Sequence, residues 1–184
     1  MIMKRISTFK LVLCGIFSAL ATVAFIIESL FPPLFLPGAR MGVSNIFILL
    51  SALTLGSVYG FITLFVKVTL GSLLSGNVFS IVYSLPSGMI ALAVELLILN
   101  FCNQVSIVCI SVFGAVLNIT VQNATFCLIT KTTEYLYYLP YLSLMGIIGG
   151  LIVGFAVYLI IKILPNKLFS KIYNENEQEK KLEH

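Results

Sequence analysis

Three ionisable side chains interrupt long apolar stretches of this chain: Glu28, Lys67 and Glu95. A charge at the centre of a membrane helix costs about 2.5–3.5 kcal/mol on insertion scales, so each needs a partner, a ligand or a nearby interface. Lys67 is the hardest to accommodate, because Phe65 and Val66 precede it, Val68 and Leu70 follow, and no polar flank lies within reach of its stem. Neutral polar residues add to the set: Asn45, Asn77, Asn118, Gln122 and Asn123. Asn118 and Gln122 are four apart and therefore share a helix face. With Arg40 and Lys67 as cations, these side chains suit an anionic group, and the abundant Phe and Leu suit an apolar body. Catalytic chemistry has little to work with. The chain has no aspartate, and its one histidine is His184, in a Leu182-Glu183-His184 ending that reads as a tag remnant. Histidine-based acid–base catalysis and most transition-metal sites are thereby excluded. No catalytic residue, metal or cofactor is expected, and ATP hydrolysis, if coupled, must occur on another chain.

The elements that position these residues follow from composition. The 184 residues are 59% hydrophobic and 10% charged, with mean hydropathy +1.08, against roughly 25% charged in a soluble domain. Membrane helices need roughly 20 apolar residues. The apolar runs then predict an all-α membrane protein with six transmembrane helices: Leu11–Phe31, Gly42–Leu55 continuing toward Tyr59, Gly60–Leu74, Val78–Leu99, Val105–Thr130 and Tyr138–Leu164. Residues 42–74 could equally form one long broken hairpin, with a tight turn at Gly56 and Gly60. The transmembrane domain spans 11–164, between a short segment 1–10 and a polar tail 165–184. The run after Lys4, Arg5 and Lys10 is too long for a signal peptide and is expected to be retained. Those cations, with Lys162, Lys167 and Lys171, place both termini in the cytoplasm of a plasma-membrane protein. The four cysteines read as small core residues without a disulfide framework.

This topology sets depths. Glu28, Arg40, Asn45, Lys67, Asn77 and the Asn118–Asn123 group fall from mid-membrane outward. Glu95 falls near the cytoplasmic end, where its carboxylate can reach the inner headgroups. Glu28 either pairs with Lys67 or caps the first helix. The stretch from Glu28 to Asn45 holds Pro32, Pro33, Pro37, Gly38 and Gly42. Proline fixes φ and lacks an N–H, so this stretch cannot continue a helix and reads as a stiff outer lid, with Arg40 touching the ligand.

Two small-residue patterns concern packing. Gly146, Gly150 and Gly154 form a GxxxGxxxG ridge in the last helix, for packing within the chain or for docking a second subunit. Gly15 and Ala19 give the same spacing in the first helix. Residues Gly71-Ser72-Leu73-Leu74-Ser75-Gly76 read as too flexible to end a helix rigidly, and they lack the Gly-Lys-Ser/Thr ending of a phosphate-binding loop.

Pro37-Gly38-Ala39-Arg40-Met41-Gly42, Asn45-Ile46, Lys67 and the Gly71–Gly76 block together resemble the Gx transporter family, long labelled heptaprenyl diphosphate synthase component I. The resemblance covers about Leu11 to Ile163. Members are similar to the substrate-binding S components of energy-coupling factor importers. The resemblance implies a six-helix bundle whose outer loop between the first two helices covers a ligand. It also implies docking on a transmembrane coupling subunit and a pair of ATPases through small residues of the first helix, here Gly15 and Ala19, although the usual alanine pair is not intact. The older enzyme label conflicts with the residues, since prenyl diphosphate synthases hold magnesium on aspartate-rich motifs. By association the resemblance points to a quinone-, isoprenoid- or flavin-related ligand. It also leaves a second role open, as an accessory protein of prenyl-quinone biosynthesis or of extracellular electron transfer with FMN-binding proteins. Partners expected are a small molecule and the membrane, with no nucleic acid.

Overall fold

The computed structural model describes residues 8–30, 42–102, 105–132 and 134–163. Arg40, the proline-rich part of the expected lid and the polar tail lie outside the described residues. Six α-helices follow in order: α1 (Thr8–Leu30), α2 (Asn45–Leu55), α3 (Ser57–Leu74), α4 (Ser80–Phe101), α5 (Ile107–Thr130) and α6 (Leu139–Ile163), with a 3-10 turn at Glu134–Tyr138 before the last. Five are long and apolar enough to cross a membrane. Their outer faces carry exposed large apolar side chains, such as Val12, Ile16, Val23 and Ile27 of α1 and Ile148, Leu151 and Phe155 of α6. The interior is the more polar side, with Ser18, Ser51, Thr63, Ser72, Ser80, Ser87 and Ser111 buried. Apolar surface outside and hydroxyls inside make this a multi-pass membrane protein, in which lipid replaces water as the solvent of the outer face.

The exception is α2. Its 11 residues rise about 16 Å at about 1.5 Å each, roughly half of a ~30 Å hydrocarbon core. Six helices form as the sequence predicts, but the second does not cross alone. Glycines set both its ends. Gly42 takes φ +76 in the turn before α2, where Asn45 N–H donates to its carbonyl at 2.8 Å. Gly56, the single residue between α2 and α3, takes φ 114 and ψ 164, a region essentially closed to residues with a Cβ. α2 and α3 therefore fold back as a tight antiparallel hairpin. Four residues on either side of the turn, Gly60 meets Ala52, where a Cβ on Gly60 would lie 2.6 Å from the alanine methyl.

The Gly71–Gly76 block is a correction to the flexible reading. Ser75 N–H donates to Gly71 O, Gly76 N–H to Leu73 O and Asn77 N–H to Ser72 O, with Gly76 at φ +73. This is a Schellman termination, which satisfies the last carbonyls and needs a glycine at that place. Ser72 and Ser80 then share a 2.7 Å hydroxyl hydrogen bond between α3 and α4.

In cross-section α2, α3, α4, α5 and α6 form a closed ring, with α1 braced against α2 and α3. The glycine ridge of α6 faces α5. A Cβ at Gly150 would lie 2.6 Å from Val112 Cα, and one at Gly154 would lie 2.7 Å from Val108 Cα. Gly146 meets Ile119 and Val116 in the same seam. Backbone approach this close is open only to glycine, and it gives the ring its tightest joint. Gly15 and Ala19 behave differently: both are exposed, and a Cβ at Gly15 would meet nothing within 4 Å.

Candidate functional site

Where the ring closes, it surrounds a partly open cavity of about 90 Å³. At roughly 10–15 Å³ per water, it holds a handful of waters or one polar head group. All six helices contribute to its lining. Phe25 and Glu28 come from α1; Asn45, Ile48 and Leu49 from α2; Leu64, Lys67 and Val68 from α3; and Gly146, Gly149 and Val153 from α6. Two regular stripes complete it. Ser84, Ser87, Gly88, Ala91 and Glu95 recur along α4 at i, i+3, i+4, i+7 and i+11. Ser111, Gly114, Ala115, Asn118 and Gln122 recur along α5 at the same intervals. Such spacing keeps one face of a helix toward the cavity.

Lys67 is buried, and its ammonium donates to Asn45 Oδ1 at 2.7 Å. The ammonium also lies over the Phe25 ring, 5.6 Å from its centroid, a cation–π distance. Lys67 and Asn45 stand eleven residues either side of Gly56, so the hairpin brings them level. Glu28 accepts hydrogen bonds from Val43 N–H and, at 3.3 Å, from Ser44 Oγ. Its carboxylate therefore closes the turn into α2, where unpaired N–H groups and the helix dipole favour negative charge. This contact is neither of the two alternatives that the sequence offers for Glu28, because its partners lie in the turn before α2.

Gln122 Nε2 donates to Ser84 Oγ at 3.3 Å, tying α5 to α4. Asn118 lines the cavity, and its Oδ1 is buried without a hydrogen-bond partner. Asn77 does not join the group. It is exposed, its N–H completes the α3 termination, and its carbonyl accepts from Ser80 N–H and Oγ. The structure thus brings Glu28, Asn45, Lys67, Asn118 and Gln122 together and leaves Asn77 outside.

Glu95 is the residue that depth alone misplaced. Rather than reaching for the inner headgroups, it turns inward and lines the cavity. Its carboxylate occupies the space that a Cβ on Gly114 would fill, so Gly114 is the notch that admits it. The signal was present as the i, i+3, i+4, i+7, i+11 stripe of small and polar residues that ends on Glu95. Lys10 lies in the first turn of α1 and is only 1% exposed. Among the described residues no cluster of metal-ligating side chains occurs.

No curated protein and no solved structure matches the chain. Residues 17–160, nearly all of the helical ring and most of α1, match the family described as heptaprenyl diphosphate synthase component I, and the chain belongs to that family.

Proposed function

We propose that the protein is a membrane-embedded binding subunit for uptake of a small anionic or amphipathic molecule, related by association to quinone, isoprenoid or flavin metabolism, with no catalysis of its own. The observation that carries this reading is the cavity, which joins a buried ammonium, three amides and two carboxylates inside the helical bundle. Lys67 holds the anionic group, Asn45 fixes the lysine, and Asn118 and Gln122 line the far wall. Arg40, by its place in the sequence, supplies the second cation. The volume limits what enters: about 90 Å³ takes a head group, so the body of a quinone- or flavin-sized molecule lies outside this space. Both termini are cytoplasmic in this reading, and the cell membrane is the location. The exposed Gly15 and Ala19 of α1 supply a face for a transmembrane coupling subunit, which in turn recruits ATPases.

Mass spectrometry of the small molecule retained after mild detergent purification tests the cavity. An anionic species is expected on the wild type and absent from Lys67→Ala and Arg40→Ala. Full retention by both variants overturns the assignment. The family's description favours a second reading, a non-catalytic accessory protein of prenyl-quinone or flavin electron-transfer chemistry. Copurification separates the two: coupling and ATPase subunits support the importer, and FMN-binding redox proteins support the accessory role.

A further inference from the structure

The cavity has two carboxylates in different states. Glu28 is engaged by the turn before α2, through Val43 N–H and Ser44 Oγ. Glu95 is not: among the described residues no hydrogen bond or ion pair reaches its carboxylate, Lys67 included. Glu95 is half-buried, with its carboxylate on the cavity, and an ionisable group inside a membrane bundle without a partner is costly and marks a ligand or ion path. Packing has been adjusted to admit this one, since any side chain at Gly114 would displace the Glu95 carboxylate.

Placement along the helices separates the two charges. Gly88 of α4 packs on Leu64 of α3, so these two residues are level. Lys67 lies three residues beyond Leu64 toward one end, and Glu95 lies seven beyond Gly88 toward the other. At about 1.5 Å per residue, their Cα atoms are on the order of 15 Å apart along the bundle axis. The Lys67 ammonium is held at its own end of the cavity by Asn45 and the Phe25 ring, and Phe25 packs on Gly71, one turn farther from Glu95. The outcome is an elongated site with a cation held at one end and an unpartnered carboxylate at the other.

We propose that this site takes a zwitterionic ligand, with its anionic group on Lys67 and Asn45 and a protonated nitrogen on Glu95. The proposal rests on the cavity being the binding site and adds the second recognition group. Asn118 Oδ1, buried and without a donor on the same wall as Gly114, is a further acceptor facing a donor-bearing ligand. Glu95 is in this reading a specificity residue. It makes the site reject a ligand that has the anion but lacks the nitrogen, because such a ligand leaves the carboxylate desolvated and unpaired.

Matched probes test this. Short ω-aminoalkanoates of increasing chain length are compared with the unsubstituted alkanoates of the same length, by calorimetry and thermal shift on the detergent-purified full chain. The wild type is expected to bind at least one amino member tenfold or more tighter than its alkanoate partner, the size of a lost charge-assisted hydrogen bond. Glu95→Gln should abolish that preference, weakening the amino member and tightening the alkanoate as the penalty of the unpaired carboxylate is lifted, and Glu95→Asp should restore part of it. Lys67→Ala should weaken both members of each pair. Equal binding of amino and plain members by the wild type, or a preference that survives in Glu95→Gln, overturns the zwitterion assignment and leaves the cavity reading standing. Absence of binding by every probe overturns both.

Discussion

The two walls of the cavity solve the same problem in opposite ways. On the wall made by α1, α2 and α3, the polar groups satisfy one another. Lys67 donates to Asn45, Glu28 accepts from Val43 and Ser44, and Ser18 donates to Thr63, which donates to Ser51. On the wall made by α4 and α5, Gln122 reaches Ser84, but Glu95 and the Asn118 oxygen have no partner among the described residues. A polar group buried without a partner costs about 1–3 kcal/mol, more when charged, and that cost is recovered only when something supplies the partner. The first wall is therefore built for holding its own shape. The second is built for meeting something else.

Four substitutions test that contrast, each read as a thermal transition of the purified protein in detergent. The largest effect is expected from Gly150→Val, which drives a side chain into the Val112 backbone and separates α6 from α5. Loss of about 3 kcal/mol or more is expected, seen as loss of monodisperse protein. A variant as stable as the wild type would show that the second wall needs no tight backing. Asn45→Leu comes next, because it removes the Oδ1 acceptor of the Lys67 ammonium, and a loss of about 2–3 kcal/mol should appear as a lowered transition. Glu28→Leu removes the acceptor for Val43 N–H and Ser44 Oγ, and a fall of about 1–2 kcal/mol is expected. The smallest effect belongs to the other wall. Asn118→Leu, close to it in volume, should leave the ligand-free protein unchanged or raise its stability by up to about 1 kcal/mol, since no partner is lost. If Asn118→Leu destabilises as much as Asn45→Leu, the two walls are alike and the contrast is wrong.

Much of this site was readable from the chain. A lysine flanked by Phe65, Val66 and Val68 has no interface to reach, so its need for company follows from residue types alone. The i, i+4 spacing of Asn118 and Gln122 put both on one face, and both line the cavity. Asn77 matches the others in depth, but its backbone is consumed in ending α3 and its side chain is exposed, outside the cavity lining. Glu95 differs from them in depth and yet lines the cavity. Depth along a helix says how far a carboxylate is from the interface but not which way it faces, and the facing direction depends on Gly114 of another helix.

Length, hydropathy and the glycine positions determined the number of helices, their apolar outer faces and the break at Gly56. These are local quantities: an apolar run, a missing Cβ and a missing N–H act within a few residues of where they occur. Only the tertiary structure decided that the Lys67 ammonium meets Asn45 and that Glu95 enters the cavity. Those outcomes depend on which helix packs against which. They are governed by close approaches such as Glu95 on Gly114, between residues of different helices whose proximity no sequence spacing prescribes.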